Sequence, residues 1–358
     1  PTGNPAAEPT GAKRNGPSGR NSRDRPLPAL FQPPGLANRR HGSDLPAALL
    51  PPVGQAWWRP LLMIATVLSE ITIPGLPSAS GIELIGPVAY VVSDDAPFVY
   101  LLDAATLAVL GQVRLFESAD FGSGRIPKSI KADVEALTAL TWPDGRAGVL
   151  AMGSGSTPAR ENGWFVPVSG AAPQQVSLGP LYALLRPHLP AGATLNLEAA
   201  AATETELLLL QRTVEVAHGA LLFHLPLAAT LQFLAGAGAA PAVAAPQRFE
   251  LPHINGRAAG FSGATFVQDR LFVSASVEDT NDAVLDGAVL GSFVGVLDGP
   301  QRAATFARLR WADGRDYLGK VEGLAVRRTL GTGRWEVLLV TDDDAGGSTA
   351  AVAEVAMA

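Results

Sequence analysis

The chain has 358 residues, 47% apolar and 17% charged, which is material for a large core and roughly two average domains or one long all-β unit. It contains no cysteine, which excludes disulfides, thiolate zinc sites, iron–sulfur clusters and cysteine nucleophiles. Net charge is −6 but unevenly spread: residues 1–60 carry eight Lys/Arg against three Asp/Glu, and residues 61–358 carry 19 against 30. An acidic body lacks the basic face that phosphate binding needs, so nucleic acid is not an expected partner.

Residues 1–60 hold 12 of the 29 prolines and show no apolar periodicity. Such a segment cannot bury enough surface to offset its ordering entropy, so it is expected to be a disordered Pro/Arg-rich leader ahead of a domain at 61–358. No secretory signal is read there, because the apolar stretch Leu45–Leu50 is short and runs into Pro51 and Pro52. Met63, the first methionine, stands where periodic sequence begins, and a start there is the alternative reading of the leader. A cytoplasmic location is expected, with a periplasmic or secreted one left open. The uncharged run Gly219–Pro246 is long enough to span a bilayer. Its prolines, His224, Gln232 and Ala/Gly bias instead predict a strand over Ala220–Leu225 followed by a loop.

Next along the chain comes a repeat. A polar residue, a small residue and an apolar strand recur at Ser80, Glu135, Glu198, Ser262 and Glu322, spaced by 55, 63, 64 and 60 residues. Each is followed by a second aliphatic strand: Tyr90–Ser93, Val149–Met152, Leu207–Leu210, Leu271–Ser274 and Val337–Thr341. Third strands are predicted at Val99–Asp103, Trp164–Val168, Ala220–Leu225, Val289–Leu297 and Thr349–Val355. Fourth strands fall at Ala108–Leu115, Gln174–Leu178, Arg248–Leu251 and Ala304–Leu309. Four short strands per unit, repeated with turns between, predict an all-β fold, a single β-propeller of four-stranded blades. Five blades are expected, closed by an N-terminal strand within Leu61–Ile73; a sixth is possible if Leu178–Leu195 hides a degenerate one.

At these motifs the sequence resembles a group of uncharacterised bacterial propellers related to the phytase-like, or esterase-like, propellers. The resemblance covers residues 63–358. It is carried by Ser80 to Ile82 with Tyr90 to Asp95, Lys131 to Leu137, Gly153 to Ser156 and Asn196 to Ala199. Glu278 to Thr280, Asp286 with Gly287, Gly291 with Ser292, Lys320 to Gly323 and Thr341 to Asp344 complete it. It implies a propeller with an acidic axial mouth and calcium-assisted hydrolysis of phosphate or other esters. The chain departs from the pattern at Ala199, where Gly usually follows Glu, and it lacks the dense Lys/Arg set that grips inositol phosphates.

The first strand of a blade lines the axis, so Ser80, Glu135, Glu198, Ser262 and Glu322 are expected in one ring. Asp94, Ser154, Arg212, Ser276 and Asp342, at the far ends of the hairpins, are expected near the same mouth. Converging carboxylates repel unless neutralised. Ca²⁺ or Mg²⁺ would suit such oxygen donors, and Lys131, Arg212 and Lys320 are the internal counter-charges beside Asp133. Metal candidates are Glu135, Glu198 and Glu322, with Glu278 and Asp279 in a second acidic cluster that includes Asp282 and Asp286. That cluster does not have EF-hand spacing.

Three readings follow for the mouth. The carboxylates accept hydrogen bonds at strand ends; or they hold a small ligand or divalent cation without turnover; or Glu135, Glu198 and Glu322 serve a metal-assisted ester or phosphoester hydrolase. The expected partner is a small molecule or cation, with no membrane and a monomeric state. The five histidines show no metal-ligand spacing, and His224 reads as a satisfied core residue. No P-loop, GxGxxG or GxSxG motif is present.

Overall fold

Runs such as Leu207–Leu210 are aliphatic at every position, where a half-buried strand would alternate. A strand turns successive side chains to opposite faces, so an uninterrupted run means that both faces are covered. The computed structural model, which describes residues 62–213, 219–280, 287–298 and 303–357, shows what covers them. The leader 1–60, Asp282 and Asp286 lie outside the described residues.

The chain opens with β1 (Met63–Thr72), β2 (Ala79–Ile85), β3 (Val88–Ser93), β4 (Phe98–Asp103) and β5 (Val109–Arg114). A second group follows as β6 (Val134–Thr141), β7 (Ala147–Gly153), β8 (Asn162–Pro167) and β9 (Gln174–Ser177), then helix α1 (Gly179–Leu185). The third comprises β10 (Leu197–Ala202), β11 (Glu206–Gln211), β12 (Ala220–Pro226), helix α2 (Leu227–Leu234) and β13 (Gln247–Phe249). A small hairpin, β14 (His253–Ile254) and β15 (Arg257–Ala258), precedes β16 (Gly260–Val267), β17 (Arg270–Glu278), β18 (Val289–Asp298) and β19 (Ala303–Trp311). The last strands are β20 (Lys320–Gly331), β21 (Arg334–Asp342) and β22 (Ser348–Met357).

Three antiparallel four-stranded sheets, β2–β5, β6–β9 and β10–β13, stand alone. β16–β19 and β20–β22 merge into an eight-stranded sheet through β1, which runs antiparallel to β22 and parallel to β19. The first strands touch in succession: β2 on β6, β6 on β10, β10 on β16, β16 on β20, and β20 on β2. The fold is mostly β and propeller-like.

The core lies between successive sheets. Leu207 and Leu209 pack toward β6–β9, while Leu208 and Leu210 pack toward β16–β19. Val337 and Leu339 likewise face β16–β19, whereas Leu338 and Val340 face β2–β4. Each sheet is thus a wedge with two apolar faces.

Residues 178–195, where a sixth blade was the alternative to five, form α1 and a 3₁₀ turn, with Leu181, Tyr182 and Leu185 buried in the core. One expectation changes. The loop expected after Leu225 begins with α2, whose Leu231 packs into the same core. A chain of Ala, Leu and Gln with no β-branched run past Thr230 favours helix over extended backbone there. His224 is only half-buried, and its Nδ1 lies 3.0 Å from Glu206 Oε1. Among the described residues, no helix is long and apolar enough to cross a membrane.

β1 covers hydrogen-bonding edges of β22 and β19 with buried Met63, Ala65 and Val67. Removing residues 1–75 should therefore expose those edges and cause aggregation, whereas removing 1–60 should leave a monomer of unchanged melting point. Size-exclusion chromatography and thermal melts of the two truncations check this; equal behaviour contradicts it.

Candidate functional site

The polar residue that opens each repeat has a backbone reason to be there. In β2/β3 the register runs Ala79↔Ser93 and then Gly81↔Val92, so Ser80 is the extra residue of a β-bulge. The same shift falls at Glu135, between Val134↔Gly153 and Ala136↔Met152. It falls again at Glu198, Ser262 and Glu322. A bulge re-aims the side chain of its extra residue and bends the strand. The residue that follows is small because the next first strand passes close by. A Cβ at Gly263 would lie 2.8 Å from Gly323 Cα, and one at Gly323 would lie 3.0 Å from Gly81 Cα. At Ala136 and Ala199 a methyl is accommodated in the core.

The serines and the glutamates use this position differently. Ser80 Oγ donates to Val134 O at 2.5 Å and Ser262 Oγ donates to Val321 O at 2.6 Å, each clamping the next unit beside its bulge. Both hydroxyls are buried. The three glutamates enter one electrostatic network. Arg212 reaches Glu198 (3.5 Å), Glu278 (2.5 Å) and Glu322 (3.7 Å). Lys320 reaches Glu278 (3.5 Å), Glu322 (3.4 Å) and Asp344 (2.8 Å). Arg212 can extend this far because Gly260 leaves room: a Cβ there would sit 2.7 Å from Arg212 Cγ.

Lys131 organises the other side. Its ammonium pairs with Asp94, lies 3.2 Å from Asp133 Oδ1 and 3.4 Å from Asp95 Oδ1. Asp133 also accepts from Ser154 Oγ (2.5 Å) and Arg160 Nη1 (2.7 Å), with its backbone in the left-handed region at φ 54°. Asp95 accepts from Ser78 Oγ at 2.9 Å and pairs with Arg125 at 2.6 Å.

Ligand oxygens of Asp94, Asp133 and Glu135 lie within 4.8 Å of one another, a spacing that could hold a metal ion. Among the described residues, no hydrogen bond or ion pair reaches the Glu135 carboxylate, and one oxygen of Asp94 is buried without a hydrogen-bond partner. Burial pushes the Glu135 carboxyl well above the usual carboxylate range, and Glu198, Asp133 and Asp94 push it further. Burial raises Asp94 to about 7 and Glu322 to about 8, in each case against neighbouring cations. Burial would lower the Lys131 ammonium, but Asp94, Asp133 and Glu135 outweigh it and keep it protonated.

The structure therefore brings Asp94, Lys131, Asp133, Glu135 and Ser154 together, and beside them Glu198, Arg212, Glu278, Lys320 and Glu322, the two groups linked by repulsion between Glu135 and Glu198 and attraction between Glu135 and Arg212. Asp342 accepts from the Asp344 amide at 3.0 Å, and burial raises its carboxyl to about 6. Ser276 is buried with its hydroxyl lacking a hydrogen-bond partner among the described residues. Asp279 does not join either group: it is exposed and pairs with Arg257 at 2.9 Å. Sequence reasoning did not single out Arg125 or Arg160, and it quoted Asn196, whose amide donates to Glu198 at 2.5 Å, only within the Asn196 to Ala199 motif and not as a site residue. Asn196 stood two residues before a bulge, in line with Asp133 and Lys320, and that register was the available signal.

Glu198 has an amide and a guanidinium as partners, whereas Glu135 has neither, so neutralising them should have opposite effects. Glu198→Gln should lower metal-free stability by about 1–3 kcal/mol. Glu135→Gln should raise it by relieving repulsion among buried acids. Urea unfolding of both variants in chelator measures the two signs.

No curated protein matches the chain. Among solved structures it is similar to the glutaminyl cyclase of Myxococcus xanthus (10% identity, 84% of this chain and 100% of that one, TM-score 0.46). It is also similar to the PQQ-bound aldose sugar dehydrogenase of Streptomyces coelicolor (14%, 83% and 99%, TM-score 0.39). A third likeness is to the Swd1 β-propeller domain of Myceliophteria thermophila (11%, 77% and 67%, TM-score 0.29). These likenesses are distant and carry no activity to this chain. One family model matches residues 75–355, nearly all of the described strands, and the chain belongs to that family, a family of unknown function (DUF6929).

Proposed function

We propose that the chain is a five-bladed propeller, closed by β1, whose acidic axial mouth binds a divalent cation through Asp94, Asp133 and Glu135. The observation that carries this reading is Glu135: a half-buried carboxylate, close to two others, that no hydrogen bond or ion pair reaches among the described residues, with Lys131 only at longer range. Three carboxylates offer only oxygen donors, which suit a hard cation such as Ca²⁺ or Mg²⁺. The succession of contacts from β2 round to β20 and back supports the ring, and the β1–β22 pairing supports its closure.

Lys131 already supplies positive charge to Asp94 and Asp133. A divalent cation must therefore share these carboxylates with the ammonium or displace it, and Lys131→Met should tighten cation binding by about tenfold. The raised Asp94 carboxyl has to shed its proton before it acts as a ligand, so affinity should climb as pH rises through about 7, and burial of Glu135 pushes the rise in the same direction.

Calorimetric titration with Ca²⁺, Mg²⁺ and Mn²⁺, with melting in parallel, tests the proposal. Saturating cation should raise the melting point of the native chain, as any ligand of the folded state must. Glu135→Gln should weaken binding by about tenfold or more. No heat and no melting shift with any of the three ions would overturn the reading.

A second reading rests on Glu322. Burial holds its carboxyl at about 8, so it carries a proton at neutral pH, beside the cations Lys320 and Arg212. That combination suits a general acid next to an anion-stabilising pair, as ester or phosphoester hydrolysis would use. Turnover of p-nitrophenyl esters or phosphates, lost with chelator and with Glu198→Gln, would favour it over binding alone.

A further inference from the structure

The five first strands all lie at the ends of their sheets, so each presents one backbone edge with no sheet partner. Three residues past each bulge stand Glu83 on β2, Thr138 on β6 and Thr265 on β16, with Ala201 and Ala325 in the other two units. All five are buried. Their polar atoms serve the open edges. Thr138 Oγ1 accepts from Ala202 N of β10 at 2.8 Å. Glu83 Oε1 accepts from its neighbour Leu84 N at 2.9 Å, and Oε2 accepts from Ala139 N of β6 at 3.4 Å. Thr265 Oγ1 donates to Glu83 Oε1 at 3.4 Å, although β16 is not next to β2 in the succession of first strands.

Every hydrogen bond at Glu83 comes from a donor and favours the ionised carboxylate. Among the described residues, no positive side chain answers that charge. β6 and β10 each carry one charged residue, the acids Glu135 and Glu198, and β16 carries none. Arg327 and Arg328 of β20 pair with Glu336 instead. Burial accordingly pushes the Glu83 carboxyl up to about 7 against its three hydrogen bonds. A buried anion of this kind is retained when something of opposite sign neutralises it. The spacing of its oxygens suggests what does. At 3.4 Å the Thr265 hydroxyl is far from Glu83 Oε1 for an O–H···O bond, whose usual length is about 2.7–2.8 Å. Two oxygens bound at right angles to one cation at about 2.4 Å are about 3.4 Å apart. Alanine at 201 and 325 puts only methyl groups at the two remaining positions of this level.

We propose that a monovalent cation of the size of Na⁺ binds between the first strands, held by the Glu83 carboxylate and the Thr265 hydroxyl oxygen, with the Thr138 hydroxyl at the same level. One negative charge and neutral hydroxyls match a single positive charge, whereas a divalent ion would leave half of its charge unanswered in a buried place. A threonine hydroxyl both donates and accepts, so Thr265 can turn a lone pair to the ion. The ion ties β2 to β16 across the strands that separate them. The site shares no residue with Asp94, Asp133 and Glu135, so either can fail without the other.

The test melts the full chain in chelator at about pH 8, in sodium or choline chloride of equal ionic strength. Sodium should raise the melting point over choline by about 2 °C or more, as a ligand of the folded state must. The sodium magnetic resonance line should also broaden when the native chain is added. Glu83→Gln should abolish both effects, and Glu135→Gln should keep both. Equal melting points in the two salts, or a sodium effect that survives in Glu83→Gln, would overturn the proposal. Thr265→Val leaves the carboxylate in place and serves where Glu83→Gln does not fold. It should need about threefold more sodium, or above, for half-maximal stabilisation, and an unchanged requirement would overturn the assignment of Thr265 as a ligand.

Discussion

One residue too many at the start of each first strand sets the rest of this structure. The bulge breaks the two-residue alternation that would otherwise send Glu135, Glu198 and Glu322 into an apolar interface between sheets, where a lone carboxylate costs several kcal/mol. It also brings Gly81, Gly263 and Gly323 against the neighbouring strand, so that the first strands pack backbone to backbone. Wedge, ring of contacts and acidic cluster are then consequences of the same local irregularity. The serine positions show that the bulge is structural before it is chemical, because Ser80 and Ser262 use it to hold a carbonyl of the next unit.

Charge in this cluster is managed by long side chains. Lys131, Arg212 and Lys320 each touch three carboxylates, so removing any one cation strands several anions in a poorly solvated place. Their placement is uneven: among the described residues the Glu135 carboxylate has no direct ion pair and feels Lys131 and Arg212 only at longer range.

Most strands were legible because two-sided burial writes itself as aliphatic runs, and each predicted second, third and fourth strand overlaps an observed one. The repeat register was legible for the same reason, since polar, small, apolar is the composition a bulge beside a close-packed neighbour demands. Helix α2 escaped because Ala and Gly after it dominated the composition, and its short apolar face is shared with the core. Arg125 and Arg160 escaped because their roles depend on how long loops fold back, which no local pattern encodes. Glu83 escaped because it follows the repeat by three residues in one unit only, where Thr138 and Thr265 take the matching place in two others. Arg212 was visible as a polar strand end, but its span to Glu278 and Glu322 depends on the missing side chain at Gly260, an absence far away in sequence.

The pairing of Met63 with Met357 has a consequence for how the molecule is made. Sheets such as β2–β5 and β6–β9 consist of neighbouring hairpins and form from residues that leave the ribosome together. β1 is different: the first of the described strands has as partners β19 and β22, which follow it only after all the other sheets. Contacts of such sequence separation are slow to form, and until they do the apolar residues of β1 have no cover. This strand is thus placed only after β19 and β22 have been made, and until then Met63, Ala65 and Val67, buried in the folded chain, stay uncovered.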